Sequence, residues 1–313
     1  MPHVSVVIPA FNAEATLART VASARNQSLA DIEILIVDDA SSDGTLALAR
    51  RLAGEDRRVK VIAATCNRGP AAARNLGLDA ATGTWIALLD ADDAFEPGRL
   101  ARLVGVARDC GADLLADNLL LESEAGDVEP MLPPGEVASC APVSAAQFLL
   151  GNLPDPARPR KSYGFLKPLL CRAFLEAKGL RYDESLRIGE DYLFVAEALA
   201  TGARCAIEPS AGYVYSVRDG SISRRLEVAH IAAMLASDER FVKTHSLDAD
   251  ARRAMAQRRR SLRQAISYLS VIGFLKDRAV LRAAGAACRD PAAMRHMRLP
   301  IGVRLRRLAQ AFG

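Results

Sequence analysis

Three aspartates occupy four positions at the end of an apolar run: Trp85-Ile86-Ala87-Leu88-Leu89 is followed by Asp90, Ala91, Asp92 and Asp93. Carboxylates this close repel one another, and burial adds to the cost of keeping them ionised. A hard divalent cation offsets that charge, and Mg2+ takes one or two carboxylates together with phosphate oxygens. The same residues also suit a solvated turn at a strand end, with Asp93 as a helix cap. A second acid pair, Asp38 and Asp39, opens "DDASSDGT". It suits a turn and an N-cap, or a carboxylate that accepts from the N–H edge of a base. In "NRGPAAARNLGL" (Asn67–Leu78), Gly69-Pro70 opens a helix whose N-terminal amides favour anions. Arg74 lies one turn in, where a guanidinium reaches a phosphate or sits on the surface of an Ala-rich helix.

Two further clusters follow. "RIGEDYLF" (Arg187–Phe194) sets Glu190 and Asp191 at a helix start, where the dipole favours ionised acids. They are either ordinary helix-start acids or the ionised carboxylate that a general base requires within reach of a hydroxyl. "VRDGSISRRL" (Val217–Leu226) brings Arg218, Arg224 and Arg225 around two serines, as a diphosphate clamp or as a basic surface loop.

The elements that must position these groups alternate. Val4–Ala10, Ile32–Asp39, Val59–Ala64, Trp85–Leu89 and Ala112–Glu122 are apolar strand-like runs. Between them lie helical patterns over Glu14–Gln27, the segment after Ser42 or Asp43, Pro70 to Gly83, and Pro97–Gly111. This order predicts an α/β fold with a mostly parallel sheet covered by helices. Strands buried on both faces read as continuous apolar runs. Ligands bind beyond the carboxyl ends of such strands, which gathers Pro9–Asn12, Asp38–Asp39 and Asp90–Asp93 on one edge. From Ala125 to Lys161 the text reads as loops around one helix, "VSAAQFLL". Phe165–Gly179 reads as a buried segment and helix, Ile188–Gly202 as a helix, and Cys205–Val217 as two short strands around a turn.

The chain of 313 residues is half hydrophobic and one quarter charged, enough for a sizeable core. Its apolar runs stay under ten residues, against roughly 20 for a membrane span, and no N-terminal signal pattern precedes Val4. A cytoplasmic location is therefore expected. The six cysteines form no C-x-x-C pair and stand at no metal-ligand spacing with histidine, as scattered reduced thiols do. Charge is uneven. From Ser223 onward there are 19 Lys and Arg against 7 Asp and Glu, while the rest of the chain has 22 against 30. A basic helical region thus follows an acidic body, which points to an anionic surface. "ARRAMAQRRRSLRQAISYLSVIGFLK" (Ala251–Lys276) and "MRLPIGVRLRRLAQAFG" (Met297–Gly313) pair apolar and Arg-rich faces. They suit either an anionic membrane or packing on the body or a second subunit. No aromatic stacking platform accompanies the arginines, so nucleic acid is not expected as a partner.

Taken in order, "VSVVIPAFNAE", "ILIVDDASSDGT", "NRGPAAARNLGL", "WIALLDADD" and "RIGEDYLF" resemble the inverting glycosyltransferases of family 2, which have the GT-A fold. The resemblance covers Val4 to about Leu226. The stretch from "FLKPLL" to "GYVYSVRDGSISRRL" is similar to bacterial exopolysaccharide glucosyltransferases of succinoglycan type. The resemblance implies a GT-A domain over residues 1–222, with a nucleotide-sugar half (1–115) and an acceptor half (116–222), followed by a helical basic extension over 223–313. It places Pro9, Phe11, Asn12 and Glu14 at the nucleoside, Asp38 and Asp39 at the base, and Arg74 and Arg224 near the diphosphate. Asp90, Ala91 and Asp92 match the D-x-D motif. By the same resemblance Asp90 is expected to face the ribose side, and Asp92, with Asp90, to bind Mn2+ or Mg2+. Glu190 and Asp191 match an E-D pair in which Asp191 is the catalytic base. The implied substrates are a UDP-sugar, with glucose as the expected sugar, and a saccharide acceptor that is lipid-linked, met at the inner face of the plasma membrane. The Q-x-x-R-W signature of processive relatives is absent, which argues against a polymer-threading synthase. Receiver domains and dehalogenase-type phosphatases also cluster acids at strand ends. Here, however, a full strand and helix precede the Asp38-Asp39 strand, and Ala94 stands where the phosphatases carry Thr or Val. A UDP-sugar-binding protein without turnover is the alternative that keeps every motif.

Overall fold

The computed structural model describes residues 3–138, 140–153, 162–217 and 227–297, with residues 295–297 by backbone only. In chain order the strands are β1 (Val4–Ala10), β2 (Ile32–Asp38), β3 (Val59–Ala63), β4 (Trp85–Leu88), β5 (Ala94–Phe95), β6 (Leu114–Glu122), β7 (Val128–Pro130), β8 (Ala141–Pro142), β9 (Leu169–Cys171) and β10 (Cys205–Ser216). The helices are α1 (Leu17–Arg25), α2 (Thr45–Glu55), α3 (Pro70–Ala80), α4 (Arg99–Asp109), α5 (Ala145–Gly151), α6 (Arg172–Lys178), α7 (Glu190–Ala200), α8 (Val228–Thr244), α9 (Ala249–Lys276) and α10 (Val280–Arg289).

One sheet runs through the molecule in the order β3-β2-β1-β4-β9-β6-β10-β5. β1 lies parallel between β2 and β4, with Val4 beside both Ile32 and Trp85. Its side chains alternate: Val6 and Ile8 enter the core on one face of the sheet, and Val7 enters the core on the other. Both faces are covered, which is why these strands are mostly apolar.

The second half of the sheet departs from the expected pattern. β9 is inserted antiparallel between β4 and β6, in the stretch read from sequence as buried segment plus helix. Cys205–Ser216 is a single strand rather than two. Its register against β6 shifts between Glu208 and Ala211 and again before Tyr213. The apparent turn at Pro209-Ser210 is therefore an irregularity within one strand, the place where Pro is tolerated in a sheet. The sheet is mixed: its long ladders are parallel, and its short strands are antiparallel.

The described helices after residue 227 do not stand apart from the body. Met234, Phe241, Ala251, Ala254 and Met255 share a core with Tyr182, Tyr192 and Phe194. The charge balance changes at residue 223, while residues described on either side of it share one apolar core. No described helix is long and apolar enough to cross a membrane.

Candidate active site

The strands β1, β2 and β4 end on one edge, and the acids stand where they end. After β4 the ladder runs one residue further, with Leu89 N–H donating to the Val7 carbonyl at 3.0 Å. The chain then turns, Asp93 N–H donating to the Asp90 carbonyl at 3.0 Å. The Ala91 carbonyl accepts from the hydroxyls of Thr16 (2.7 Å) and Thr20 (3.0 Å), which pins this turn to α1. Asp93 points inward. Its carboxylate accepts from the Tyr213 hydroxyl at 2.7 Å and from Ser216 N–H at 2.8 Å. The same hydroxyl accepts from Asp90 N–H at 3.1 Å. Burial, and then the charges of Asp90 and Asp92, push the Asp93 carboxyl well above the ordinary carboxylate range. Asp93 is a buried strut between the turn and β10, and it caps no helix.

Asp90 faces two cations. Arg74 Nη2 lies 2.8 Å from Oδ1 and Lys167 Nζ 2.8 Å from Oδ2. Burial alone would raise this carboxyl, but Lys167 and Arg74 outweigh it and hold Asp90 below the usual range. Arg74 is itself buried, on the second turn of α3. Its Nη1 lies 2.6 Å from Glu190 Oε1 and 3.5 Å from Asp191 Oδ1. Lys167 Nζ lies 2.5 Å from Asp191 Oδ2. Burial disfavours the ammonium, yet Asp191 and Asp90 hold its pKa above the ordinary lysine value. Two cations therefore join one carboxylate at the end of β4 to two at the start of α7.

Helix α7 begins at Gly189, which has φ +88° and whose Cα faces Met234 of α8 so closely that a Cβ would come within 3.1 Å of the methionine methyl. The turn delivers Glu190 and Asp191 into the first turn of α7, beside the positive end of the dipole. The two acids differ. Glu190 is buried against Arg74, and burial raises its carboxyl. Asp191 keeps 18% of its side chain exposed, so it is the acid of this pair better placed to meet an incoming hydroxyl.

The loops after β1 and β2 are fastened together. Asn12, at φ +49°, accepts through Oδ1 from Ser42 N–H at 2.9 Å. Glu14 accepts from Gly44 N–H at 3.0 Å. A Cβ on Gly44 would lie 2.3 Å from the Glu14 carboxylate, so a larger residue there would displace that carboxylate. Pro9 is half-buried at the end of β1, and Phe11 stands exposed beside it. Both Asp39 oxygens are engaged, Oδ1 by Arg68 N–H at 3.0 Å and Oδ2 by Gly69 N–H at 2.7 Å. Asp39 thus staples the loop that opens α3. Asp38 accepts from Ser41 N–H through Oδ2 at 3.2 Å, and its buried Oδ1 has no hydrogen-bond partner. Arg224 lies outside the described residues.

Asp92 is half-buried at the tip of the turn. Both oxygens of Asp90 already meet cations, and Asp92 is the second carboxylate of this motif. Among the described residues no group of three or more His, Cys, Asp or Glu is arranged as a metal site. A single carboxylate completed by phosphate oxygens is a coordination that Mg2+ accepts, so the residues fit a cation that binds with its diphosphate. Lys167 and Tyr213 escaped the reading of the sequence. The only local signal for Lys167 was one charge within "GFLKPLLC".

Comparison with known proteins gives a consistent picture. The family described as glycosyl transferase family 2 matches residues 5–134. Succinoglycan biosynthesis protein ExoO of Rhizobium meliloti strain 1021 is 44% identical over 312 residues, covering all of this chain and 88% of the relative. Protein ExoU of the same organism, also named for succinoglycan biosynthesis, is 36% identical over 93% of this chain and 84% of its own. Among solved structures, S. aureus TarS residues 1–349 in complex with UDP superposes with a TM-score of 0.64 at 20% identity, over 87% of this chain and 74% of that one. The mannosyltransferase PcManGT of Pyrobaculum calidifontis, in complex with GDP-Man and Mn2+, gives 0.60 at 19%, over 97% and 81%. These likenesses show the fold, that of the GT-A glycosyltransferases.

Proposed function

This chain belongs to glycosyl transferase family 2, and from that premise we propose that it moves glucose from UDP-glucose to a hydroxyl of a lipid-linked saccharide, with inversion at the anomeric carbon. The observation that carries this reading is the convergence of Asp90 from the strand half with Glu190 and Asp191 from the helix half on the same two cations. In a displacement the departing diphosphate and the base stand on opposite sides of the anomeric carbon. The strand half holds the donor, and the helix half holds the base.

Asp191 takes the proton of the acceptor hydroxyl as that oxygen bonds to the anomeric carbon. The bond from that carbon to UDP breaks, and its electron pair leaves with the diphosphate. A single displacement inverts the centre, so an α-linked donor gives a β-linkage. Glu190, held by Arg74, fixes the start of α7 rather than exchanging a proton with substrate. Asp38 Oδ1, buried and unpartnered, supplies an acceptor for the base of the nucleotide, while Asp39 shapes the loop beside it. A divalent cation at Asp92, Mn2+ or Mg2+, would supply positive charge to the diphosphate as it departs.

The acceptor reading draws on the exopolysaccharide relatives and on the basic C-terminal region. At the α9–α10 corner Leu275, Val280 and Leu281 are exposed, Leu281 by 89%, among the exposed cations Lys276, Arg278 and Arg282. Apolar tips within a cationic rim suit the interface of an anionic bilayer. This corner supports a working position at the inner face of the plasma membrane, beside a lipid-linked acceptor. UDP release with Mn2+ from UDP-glucose, UDP-galactose and UDP-N-acetylglucosamine, with saccharide acceptor present, tests the proposal. UDP-glucose should turn over fastest. Tight binding of all three without turnover would make the chain a UDP-sugar-binding protein instead.

A further inference from the structure

We infer that Lys167 is a positioning residue for glycosyl transfer, its ammonium holding the base Asp191 and the donor-side acid Asp90 to one point. The inference rests on Asp191 being the base.

The mount comes first. β9 runs antiparallel to β4, with Cys171 beside Trp85 and Leu169 beside Ala87. Following β9 backwards therefore follows β4 forwards, and Lys167 arrives next to the acids that end β4. Pro168 favours an extended Lys167. The Lys167 carbonyl accepts from Arg99 Nη2 at 2.7 Å. Arg99 is fully buried and bonds both oxygens of the equally buried Asp117, at 2.7 to 3.1 Å. The backbone of Lys167 is thus tied to an ion pair that solvent does not reach.

The side chain then extends to the site. It is 5% exposed, and its ammonium lies 2.8 Å from Asp90 Oδ2 and 2.5 Å from Asp191 Oδ2. An ammonium this dry needs close carboxylates to remain charged, and it has two. Asp191 Oδ1 is buried without a hydrogen bond and meets Arg74 Nη1 only at 3.5 Å, so the 2.5 Å contact at Oδ2 is the closer hold on the carboxylate. Without Lys167, Arg74 alone would face Asp90, Glu190 and Asp191. Like charges would then drive the base away from the donor-side acid, and proton acceptance depends on that geometry. Misplacement by about 1 Å costs on the order of 10²-fold in rate.

Transfer kinetics with UDP-glucose, together with calorimetric UDP binding, test this. For Lys167→Met, kcat should fall about 10²-fold, while UDP affinity and donor KM stay within about threefold, since the role is in geometry and not in donor binding. Lys167→Arg keeps the charge but replaces a one-atom bridge with a planar fork, and should recover about tenfold of that loss. A merely structural role would lower stability and donor binding along with kcat. Should Lys167→Met fail to unfold cooperatively, Lys167→Arg carries the test, with kcat about tenfold below wild type and UDP affinity retained. Wild-type kcat in both variants, or kcat and UDP affinity falling in step, would overturn the assignment. Loss of turnover in the wild type with every UDP-sugar would refute the proposed function itself, a result distinct from an active enzyme indifferent to residue 167.

Discussion

Arg258→Met removes a cation from a place where solvent cannot replace it. Asp238 on α8 is buried and accepts from Arg258 Nε at 3.1 and 3.3 Å. The guanidinium lies 3.6 Å from the centroid of the Tyr192 ring, and Tyr192 also stacks on Phe148 at 5.7 Å. Tyr192 follows Asp191 in α7, so this contact fastens the C-terminal helices to the helix that carries the proposed base. Breaking a buried pair by removing one partner costs about 3–5 kcal/mol, and the lost cation–π contact adds about 0.5–2 kcal/mol. Asp238 limits the total by taking up a proton, which burial already favours. An expected loss of about 3–4 kcal/mol corresponds to a fall in Tm of roughly 10 °C. Urea unfolding should show the loss to be larger at pH 8 than at pH 5, where Asp238 is more readily neutral. The double variant Asp238→Leu with Arg258→Met, which removes both charges, should return to within about 1 kcal/mol of wild type. A single variant within about 1 kcal/mol of wild type, or a double variant no better than the single, would refute the reasoning.

Three further predictions concern other parts of the molecule. Burial, and then Asp183, push the Glu197 carboxyl up from 4.5 to about 7, so its neutral form is favoured in the fold. That stability is fully present below pH 4.5 and is lost as pH rises through about 7. Glu197→Gln should therefore gain on wild type above pH 7 and lose that gain below pH 4.5 in urea titrations, by less than about 1 kcal/mol because the group is only half-buried; an equal gain at pH 4 and pH 8 would contradict this. Asp92→Ala should weaken UDP binding at least about tenfold with Mn2+ present and little with EDTA, and calorimetry showing the same affinity in Mn2+ for variant and wild type would count against Asp92. Replacing Val280 and Leu281 by Ser should abolish flotation of the full chain with phosphatidylglycerol vesicles, while phosphatidylcholine vesicles should float neither protein. Equal flotation of the two proteins would remove this corner from the membrane reading.

How much of this was legible in the sequence varied with the range of the interactions. The strands β1, β2 and β4 announce themselves because burial on both faces leaves mostly apolar residues, many of them β-branched. Their acids follow from the rule that ligands bind at carboxyl ends. Glu190 and Asp191 were legible as a helix start after Gly189. Lys167 was not. Its place beside Asp90 depends on β9 entering antiparallel between β4 and β6, and the three-residue strand Leu169-Leu170-Cys171 is too short to show a period. Asp93 was ambiguous because its partners, Tyr213 and Ser216, lie more than a hundred residues away. The Arg-rich text of α9 suggested a solvated basic face, and exposed arginines such as Arg253 and Arg260 fit that. Arg258 lies in the same run but is buried, because Asp238 from another helix compensates it. Composition cannot distinguish the two.

Asp191→Asn, measured by UDP release with acceptor and by calorimetric UDP binding in Mn2+, bears most directly on the central claim. The substitution keeps the shape of the side chain and removes its capacity to take a proton. Transfer should fall by at least about 10³-fold, with UDP affinity within about threefold of wild type, because the proposal assigns the diphosphate to the strand half. Turnover near the wild-type rate would show that Asp191 is not the base, and the account of the site would fail with it.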